Sequence, residues 1–127
     1  MKNDETKNKK YTLLSFDKIV KDGCILYRIQ AMRSFGNVVV GDLGGYVESY
    51  DNLSHDGDCW THCQSWVYGK ARVYENAYIG QYVTAKERSK VYGNAFISGP
   101  IILSGNINVC EQARALGSFH AFTGFIT

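Results

Sequence analysis

Apolar side chains recur along residues 43–126 with a period of six. Every sixth residue from Leu43 defines a first slot, in which eleven of the fourteen residues are apolar. The fifth slot begins at Val47, and twelve of its fourteen residues are apolar or Cys, mostly small. None of the thirteen charged residues in this range occupies either slot. Because an unpaired charge away from water is costly, both slots are predicted to face a dry interior.

The slots between them predict a turn in every repeat. The third slot holds Gly at seven positions and the fourth holds Asn or Asp at five, and these residues tolerate left-handed backbone angles. A helical period does not keep one phase over so many steps of six, and an alternating strand does not turn this often. The pattern therefore predicts an all-β fold, a parallel β-helix built from a hexapeptide repeat.

The repeat resembles the hexapeptide-repeat, left-handed parallel β-helix family, in which three hexads form one triangular coil. The resemblance covers about residues 43–126 and implies about four to five coils. The stretch FGNVVVGDLGGYVESYDNLSHDGDCW (35–60) is also similar to the opening of small hexapeptide-repeat proteins of phages and prophages. That second similarity carries no known activity with it.

The chain is predicted to have three parts. Residues 1–10, MKNDETKNKK, are polar and of mixed charge, which predicts a disordered tail. Residues 11–42 contain two β-rich runs separated by Lys21-Asp22-Gly23, a strong hairpin signal. We expect this N-terminal β-hairpin to cap the open top of the β-helix, which occupies residues 43–127, because exposed strand edges need cover.

Large apolar residues gather at the other end of the repeat. Phe119 and Phe125 fall in the inward fifth slot, where the other residues are mostly small, and Phe122 lies between them. They predict a plug that closes the bottom of the β-helix. The alternative is an end-to-end dimer through this apolar end.

Composition narrows the classes of function. The chain has 127 residues, enough for one domain, and a formal net charge of +2. It lacks the broad basic surface of a nucleic-acid binder, so nucleic acid is not an expected partner. There is no run long and apolar enough for a membrane span, and no leader pattern. With four cysteines and no dense cysteine framework, we expect a reduced, cytoplasmic protein, in the host cytoplasm if phage-encoded.

Resemblance to hexapeptide acyltransferases, which use acetyl-CoA or an acyl carrier protein, implies a catalytic His in a cleft between the subunits of a trimer. The loop that often shapes that cleft is missing here, because the step of six is unbroken. His62 and His120 are the candidate bases, whereas His55 falls in an inward slot. The sequence favours a non-catalytic role, since His62 and His120 also fit ordinary surface positions and His55 fits an interior one.

A metal site has a weaker signal. His55, Cys59, His62 and Cys63 are zinc-ligand residue types within nine positions. Two of them fall in inward slots and two lie around the next turn, so they are not expected to converge. The carbonic anhydrases of this fold use a close pair of His ligands that this chain lacks. We therefore expect no metal and no cofactor.

The sixth slot is predicted to point outward, and taking every third hexad gives three faces of a prism. The first face reads Trp60, Tyr78, Phe96, Arg114. The second face reads Glu48, Trp66, Thr84, Ile102, His120. The third face reads Ser54, Arg72, Lys90, Asn108, Ile126.

Three aromatic residues stack on the first face, and with Arg114 they have the composition of a binding hot spot. Trp66 and Ile102 on the second face could form the other half of a trimer contact. Arg72 and Lys90 form a small basic strip on the third face that could meet an anionic ligand. Second-slot tyrosines are predicted at the prism edges, where they could line clefts between prisms: Tyr68, Tyr74 and Tyr92.

These features predict a non-catalytic binding protein, a homo-oligomer (trimer or dimer), that engages a host protein or a small anionic ligand such as a nucleotide. A counter-defence role rests on the phage-like resemblance alone. The alternatives are a minimal acyltransferase-like enzyme with a site between subunits, or a self-assembling structural protein joined through Phe122 and Phe125.

Overall fold

A computed structural model describes residues 9–127 of the chain. The fold is all-β, a parallel β-solenoid of about four turns, and its one short helical element is a 3-10 turn at Tyr50–Asn52 in the described part. The parallel β-helix predicted from the period of six is therefore confirmed. Residues 1–8, most of the tail predicted to be disordered, lie outside the described residues.

The predicted hairpin is formed by β1 (Tyr11–Lys21) and β2 (Cys24–Ala31), which pair antiparallel around the Asp-Gly turn. Strand β2 also pairs antiparallel with β3 (Leu43–Val47), which begins the solenoid. The hairpin therefore continues one sheet of the prism upward beyond its first coil. This sheet begins with β1, β2 and β3 and continues down the solenoid.

The solenoid strands are two or three residues long and form three faces. The second face continues from β3 through β5 (Trp66–Val67), β8 (Thr84–Ala85), β11 (Ile101–Leu103) and β14 (Phe119–Ala121). The first face holds β4 (Trp60–Thr61), β7 (Tyr78–Ile79), β10 (Phe96–Ser98) and β13 (Arg114–Leu116). The third face holds β6 (Arg72–Val73), β9 (Lys90–Val91), β12 (Asn108–Val109) and β15 (Phe125–Ile126).

The middle coils obey the repeat. Tyr78 pairs with Phe96 and Thr84 pairs with Ile102, so each of these coils consists of three hexads. First-slot residues from Thr61 to Val109 and fifth-slot residues from Val47 to Ala113 are buried. The exclusion of charge from these slots thus reflects a continuous core along the prism axis.

The first coil departs from the predicted phase. Trp60 pairs with Tyr78, three hexads further along the chain, whereas Tyr46 pairs with Trp66, which lies two positions beyond three hexads. The first coil therefore contains an insertion of two positions, in the polar stretch 54–59. The step of six is broken here.

This insertion changes the assignments before it. Leu43 was predicted to point inward but is exposed. Tyr46, not Glu48, is the residue of the second face that pairs with Trp66. Leu53 bridges Val73 and so fills a first-slot position of the core rather than a fifth-slot position.

The last coil slips in the opposite sense. Asn108 pairs with Phe125, one position short of three hexads, because the turn at 122–124 is shorter than its equivalents. Phe125 therefore lies in the outer row of the third face and is 70% exposed, while Ile126 aligns with the buried Val109. The prediction of a phenylalanine plug is wrong.

Phe119 keeps its predicted register with Ile101 but belongs to the last coil, and it is exposed. Phe122 is exposed as well. The large side chains at this end therefore lie open instead of filling the interior.

The start of β1 closes the top of the prism. Tyr11 is fully buried, and its hydroxyl donates to the Leu53 carbonyl at 2.6 Å. Lys10, assigned from sequence to the disordered tail, is also fully buried. Its Nζ donates to the carbonyl of Cys59 at 2.8 Å and that of Gly57 at 3.2 Å. These carbonyls replace the water that the ammonium group loses on burial.

Arg28 of β2 fastens the hairpin to the solenoid. Its Nη1 donates to the carbonyls of Gly44 and Cys63, both at 2.9 Å, and its guanidinium lies over the Tyr46 ring. Its Nε donates to Asp17 at 3.2 Å. Asp17 also accepts from the Tyr46 hydroxyl, and these hydrogen bonds hold the pKa of this carboxyl below its ordinary value.

Candidate anion-binding site

A basic row runs down the third face. Arg72 of β6 pairs in register with Lys90 of β9, and Asn108 of β12 follows beneath them. Both basic side chains are exposed. Since adjacent strands lie about 4.8 Å apart, the two cations are close neighbours on the same surface.

Two further cations join this row from the neighbouring corner of the prism. Lys70 and Arg88 lie two positions before Arg72 and Lys90, and all four line one groove of about 540 Å³. Sequence reasoning missed Lys70 and Arg88. A signal was present, because Lys70-Ala-Arg72 and Arg88-Ser-Lys90 occupy the same slots of hexads one full coil apart.

The groove is strongly basic. Four cations and a single carboxylate, that of Asp51, line it. Among residues 9–127 the ion pairs are Arg28 with Asp17 and Lys86 with Asp22, and neither involves a groove residue. Like charges directly opposite on neighbouring strands destabilise a sheet. The groove therefore concentrates positive charge that the described part of the chain leaves unneutralised.

The side-chain amides of Asn52, Asn106 and Asn108 and the hydroxyl of Ser49 complete the walls of the basic groove. Asn52 is buried at the top, where its side-chain amide donates to the carbonyls of Ala71 and Gly69. At the bottom, Asn108 donates to the Asn106 carbonyl at 3.1 Å. These hydrogen bonds fix the backbone on either side of the cations, so the groove has defined ends.

The first face contains the predicted ladder in the predicted register, but its top rung is not exposed. Trp60 is 4% exposed because Phe35 packs edge-on against it at 5.3 Å and Tyr11 lies on another side. Trp60 is therefore largely removed from the outer surface, although it still lines one groove together with Tyr78 and Phe96. A loop distant in sequence covers this side chain.

The lower rungs are half-buried. Tyr78 and Phe96 stack with ring centroids 5.4 Å apart, and the guanidinium of Arg114 lies 4.9 Å from the Phe96 ring centre. Tyr78 and Phe96 line a second groove of about 780 Å³ beside the loop that follows β2. Because the rings face one another, this groove presents mainly ring edges to a ligand.

The second face is partly covered by the hairpin. Lys21 lies over the Trp66 ring, with Nζ 5.1 Å from its centre, so Trp66 is half-buried by the chain itself. Ile102 is 38% exposed. Of the residues predicted to form a second interface half, Ile102 is thus the more accessible.

The corner tyrosines differ from one another. Tyr74 and Tyr92 stack with centroids 4.8 Å apart and planes within 4°, as predicted for a corner ladder. A hydrogen bond with the Cys110 thiol raises the pKa of Tyr92 to about 12. Tyr68, by contrast, is buried, and its hydroxyl donates to Asp22 of the hairpin turn. The expectation that Tyr68 lines an open cleft is wrong.

The three histidines occupy separate places. His55 Nδ1 accepts from the Lys10 backbone N–H at 3.1 Å, in the extended turn of the first coil. His62 Nδ1 accepts from the Gln64 backbone N–H at 3.1 Å, which places the proton of the neutral ring on Nε2. His120 Nε2 lies 2.6 Å from the Ser104 hydroxyl.

The four potential zinc ligands do not come together. Cys59 is buried beside the Lys10 ammonium, whereas Cys63 contacts its neighbour His62. Within residues 9–127, no three His, Cys, Asp or Glu side chains are grouped so as to hold a metal ion. The four cysteines are all free thiols.

No protein-family model matches the chain, and no curated protein matches it either. Nowhere in the described residues is there a helix with the length and apolar character that crossing a bilayer requires.

Proposed function

We propose that this protein is a non-catalytic binding protein that holds a small anionic ligand in the basic groove of its third face. The observation that carries the proposal is the cluster of Lys70, Arg72, Arg88 and Lys90, which line one groove and form no ion pair within the described residues. An anion that enters the groove removes the repulsion among these cations and gains charge-assisted hydrogen bonds.

The neighbouring carboxylates support this proposal because they are engaged elsewhere. Glu48 accepts from the Gly69 backbone N–H at 2.8 Å. Glu87, which lies between two cations in sequence, accepts from the Gly105 backbone N–H at 2.6 Å. Acidic side chains that could neutralise the groove thus stabilise the corners of the prism instead.

The second part of the proposal concerns the first face. This face joins copies of the chain in a homo-oligomer or binds a host protein. Tyr78, Phe96 and Arg114 form a continuous aromatic and cationic strip there, which suits a protein surface. The hexapeptide repeat and the resemblance to phage and prophage proteins favour a ligand or partner supplied by a host cell.

The acyltransferase-like alternative has less support from the geometry. A base at His62 needs a free ring nitrogen, but Nδ1 already accepts a backbone hydrogen bond and Nε2 carries the proton of the neutral ring. His120 is held by Ser104, at the open end of the solenoid. Turnover of an acyl donor that is lost on His120→Ala would favour this alternative.

Calorimetric titration with AMP and with adenosine tests the proposal, because the two compounds differ by one phosphate. We expect AMP to bind and adenosine to bind at least about tenfold more weakly, since the phosphate supplies the charge. Arg72→Gln with Lys90→Gln removes one cation from each coil and should abolish this preference. The matched control, Lys18→Glu, lowers the net charge by the same two units at an exposed hairpin residue outside the groove and should keep it. Equal binding of AMP and adenosine, or failure of AMP, inorganic phosphate and pyrophosphate to bind at all, would refute the proposal.

A further inference from the structure

The cations of the basic groove form two equivalent pairs, one in each of two consecutive coils. The upper subsite consists of Lys70 and Arg72, and the lower subsite of Arg88 and Lys90. Arg72 lies directly over Lys90 in the paired strands, and Lys70 and Arg88 hold equivalent places one coil apart. Each subsite thus offers one guanidinium and one ammonium group.

The spacing of the subsites is fixed by the fold. Stacked strands place the backbones of the two subsites about 4.8 Å apart. Within each subsite the two cations are two residues apart, with Lys70 and Arg88 in the turn that precedes the strand. The backbone spacing between the subsites is shorter than the Debye length at physiological salt, about 8 Å, so solvent ions screen Arg72 from Lys90 incompletely.

We infer that the groove recognises a ligand with two covalently linked phosphate-type groups, as in a diphosphate, one held by each subsite. This inference rests on the proposed anion-binding function and names its ligand class. A single phosphate can satisfy one Arg fork and leaves the repulsion in the other subsite. Two linked groups neutralise both, and binding of the first raises the effective concentration of the second.

The ends of the groove set its direction. Asp51 lines the upper rim, where its carboxylate repels an anion, whereas the amides of Asn106 and Asn108 line the bottom. The remainder of such a ligand therefore extends downward, along the third face and away from the hairpin.

The inference predicts a difference between inorganic phosphate and pyrophosphate, each titrated calorimetrically at the same ionic strength without divalent cations. We expect pyrophosphate to bind at least about tenfold tighter than phosphate, with one site per chain. Lys70→Gln with Arg72→Gln, or Arg88→Gln with Lys90→Gln, should each reduce the affinity for pyrophosphate to about that for phosphate. The four side chains are on the surface, and circular dichroism checks that the variants fold.

The control separates geometry from bulk charge. Lys18→Glu, at an exposed hairpin residue, lowers the net charge by the same two units and should leave the ratio of the two affinities unchanged. If the control lowers this ratio as much as the subsite variants do, or if pyrophosphate binds no tighter than phosphate, the two-subsite inference fails while anion binding stands. If phosphate, pyrophosphate and AMP all fail to bind, the proposed function fails together with the two-subsite inference.

Discussion

The Glu75 carboxylate accepts a hydrogen bond from the backbone N–H of Gly93, one coil below it, at 2.8 Å. The same contact joins Glu87 to Gly105 at the next corner. Both glutamates adopt left-handed φ angles of 61°, and both glycines are left-handed as well. Glu and Gly thus alternate down these corners, and the Glu side chain satisfies a backbone donor that the turn leaves open. This arrangement explains why the carboxylates do not neutralise the groove.

Gly93→Ala should destabilise the protein through this corner. Gly93 has a φ of 68°, and an added Cβ would lie 2.8 Å from the Glu111 backbone nitrogen. We expect the free energy of unfolding in urea to fall by about 2–4 kcal/mol, from left-handed strain and crowding together. The control is Gly41→Ala, where φ is 95° and nothing lies within 4 Å, so only backbone strain applies. Equal losses in both variants would show that the corner has room for a methyl group.

Substitutions of Glu75 should separate the contribution of its hydrogen bond to Gly93 from the cost of its left-handed backbone. Glu75→Ala removes the acceptor for Gly93 but keeps a Cβ at left-handed φ, so we expect a loss of about 1 kcal/mol. Glu75→Gly removes the same acceptor and relieves backbone strain of similar size, so the net change should be near zero. Urea unfolding of both variants measures the difference. If Glu75→Gly were the less stable of the two, backbone strain would not contribute here.

Acid should loosen the top of the prism through His55. Its ring stacks on Tyr11 at 4.4 Å, and burial together with the charges of Lys10 and Lys9 lowers its pKa below the ordinary 6.5. The unfolded chain then binds more protons between the folded pKa and 6.5. The stabilisation is therefore complete above pH 6.5 and is lost as pH falls through the folded pKa.

Thermal unfolding between pH 7.5 and pH 5 measures this effect at about half-unit steps. The midpoint should decline below pH 6.5 in the wild type and less steeply in His55→Phe, which keeps an aromatic ring against Tyr11 without a titrating group. His62→Gln should follow the wild type. Parallel pH profiles for the wild type and His55→Phe would assign the acid sensitivity to other groups.

Most of the solenoid core could be predicted from the sequence because a coil of constant length brings positions three hexads apart into contact. Ile79 and Ile97 were assigned to the core on this basis, and they are paired and buried. The assignment failed for Leu43, which precedes the insertion of two positions at 54–59, and for Phe125, which follows the shortened turn at 122–124. Polar turn residues tolerate such changes, so the pattern of apolar positions gives little sign of them.

The candidate site was predicted in part for a related reason. The register of Arg72 over Lys90 follows from the repeat and is confirmed. The burial of Trp60 and Tyr68 was not foreseen, because Phe35 and the hairpin turn cover them through contacts between residues distant in sequence. A repeat specifies what lies above and below a residue, but not what folds over it.

The aromatic strip of the first face has its own test. If it joins copies of the chain, Tyr78→Arg with Phe96→Glu should lower the mass measured by light scattering at a fixed protein concentration, because charge replaces half-buried rings. The fold should survive, since neither residue belongs to the fully buried core. Phe16→Glu, on an 83% exposed side chain of the hairpin, is the control. An unchanged mass would show that the first face is not a contact between copies of the chain.

Lys90→Glu should raise stability and remove ligand binding in the same variant. Arg72 and Lys90 are directly opposite in the sheet, so the substitution replaces a like-charge pair with an opposite-charge pair. We expect the free energy of unfolding to rise by about 0.2–1 kcal/mol at low ionic strength. The gain should shrink as added salt screens the pair.

Affinity for pyrophosphate should fall to that of phosphate or lower in Lys90→Glu, because the lower subsite then carries a carboxylate. Lys90→Gln, which only removes the repulsion, should give a smaller rise in stability than Lys90→Glu. Lys18→Glu, on the hairpin, should change neither stability nor binding beyond experimental error. A rise in stability together with a loss of pyrophosphate binding in the same variant would show that the charge of Lys90 serves binding at a cost in stability. A loss of stability in Lys90→Glu at low salt would show that the cations already have a stabilising partner, and the proposed site would lose its main support.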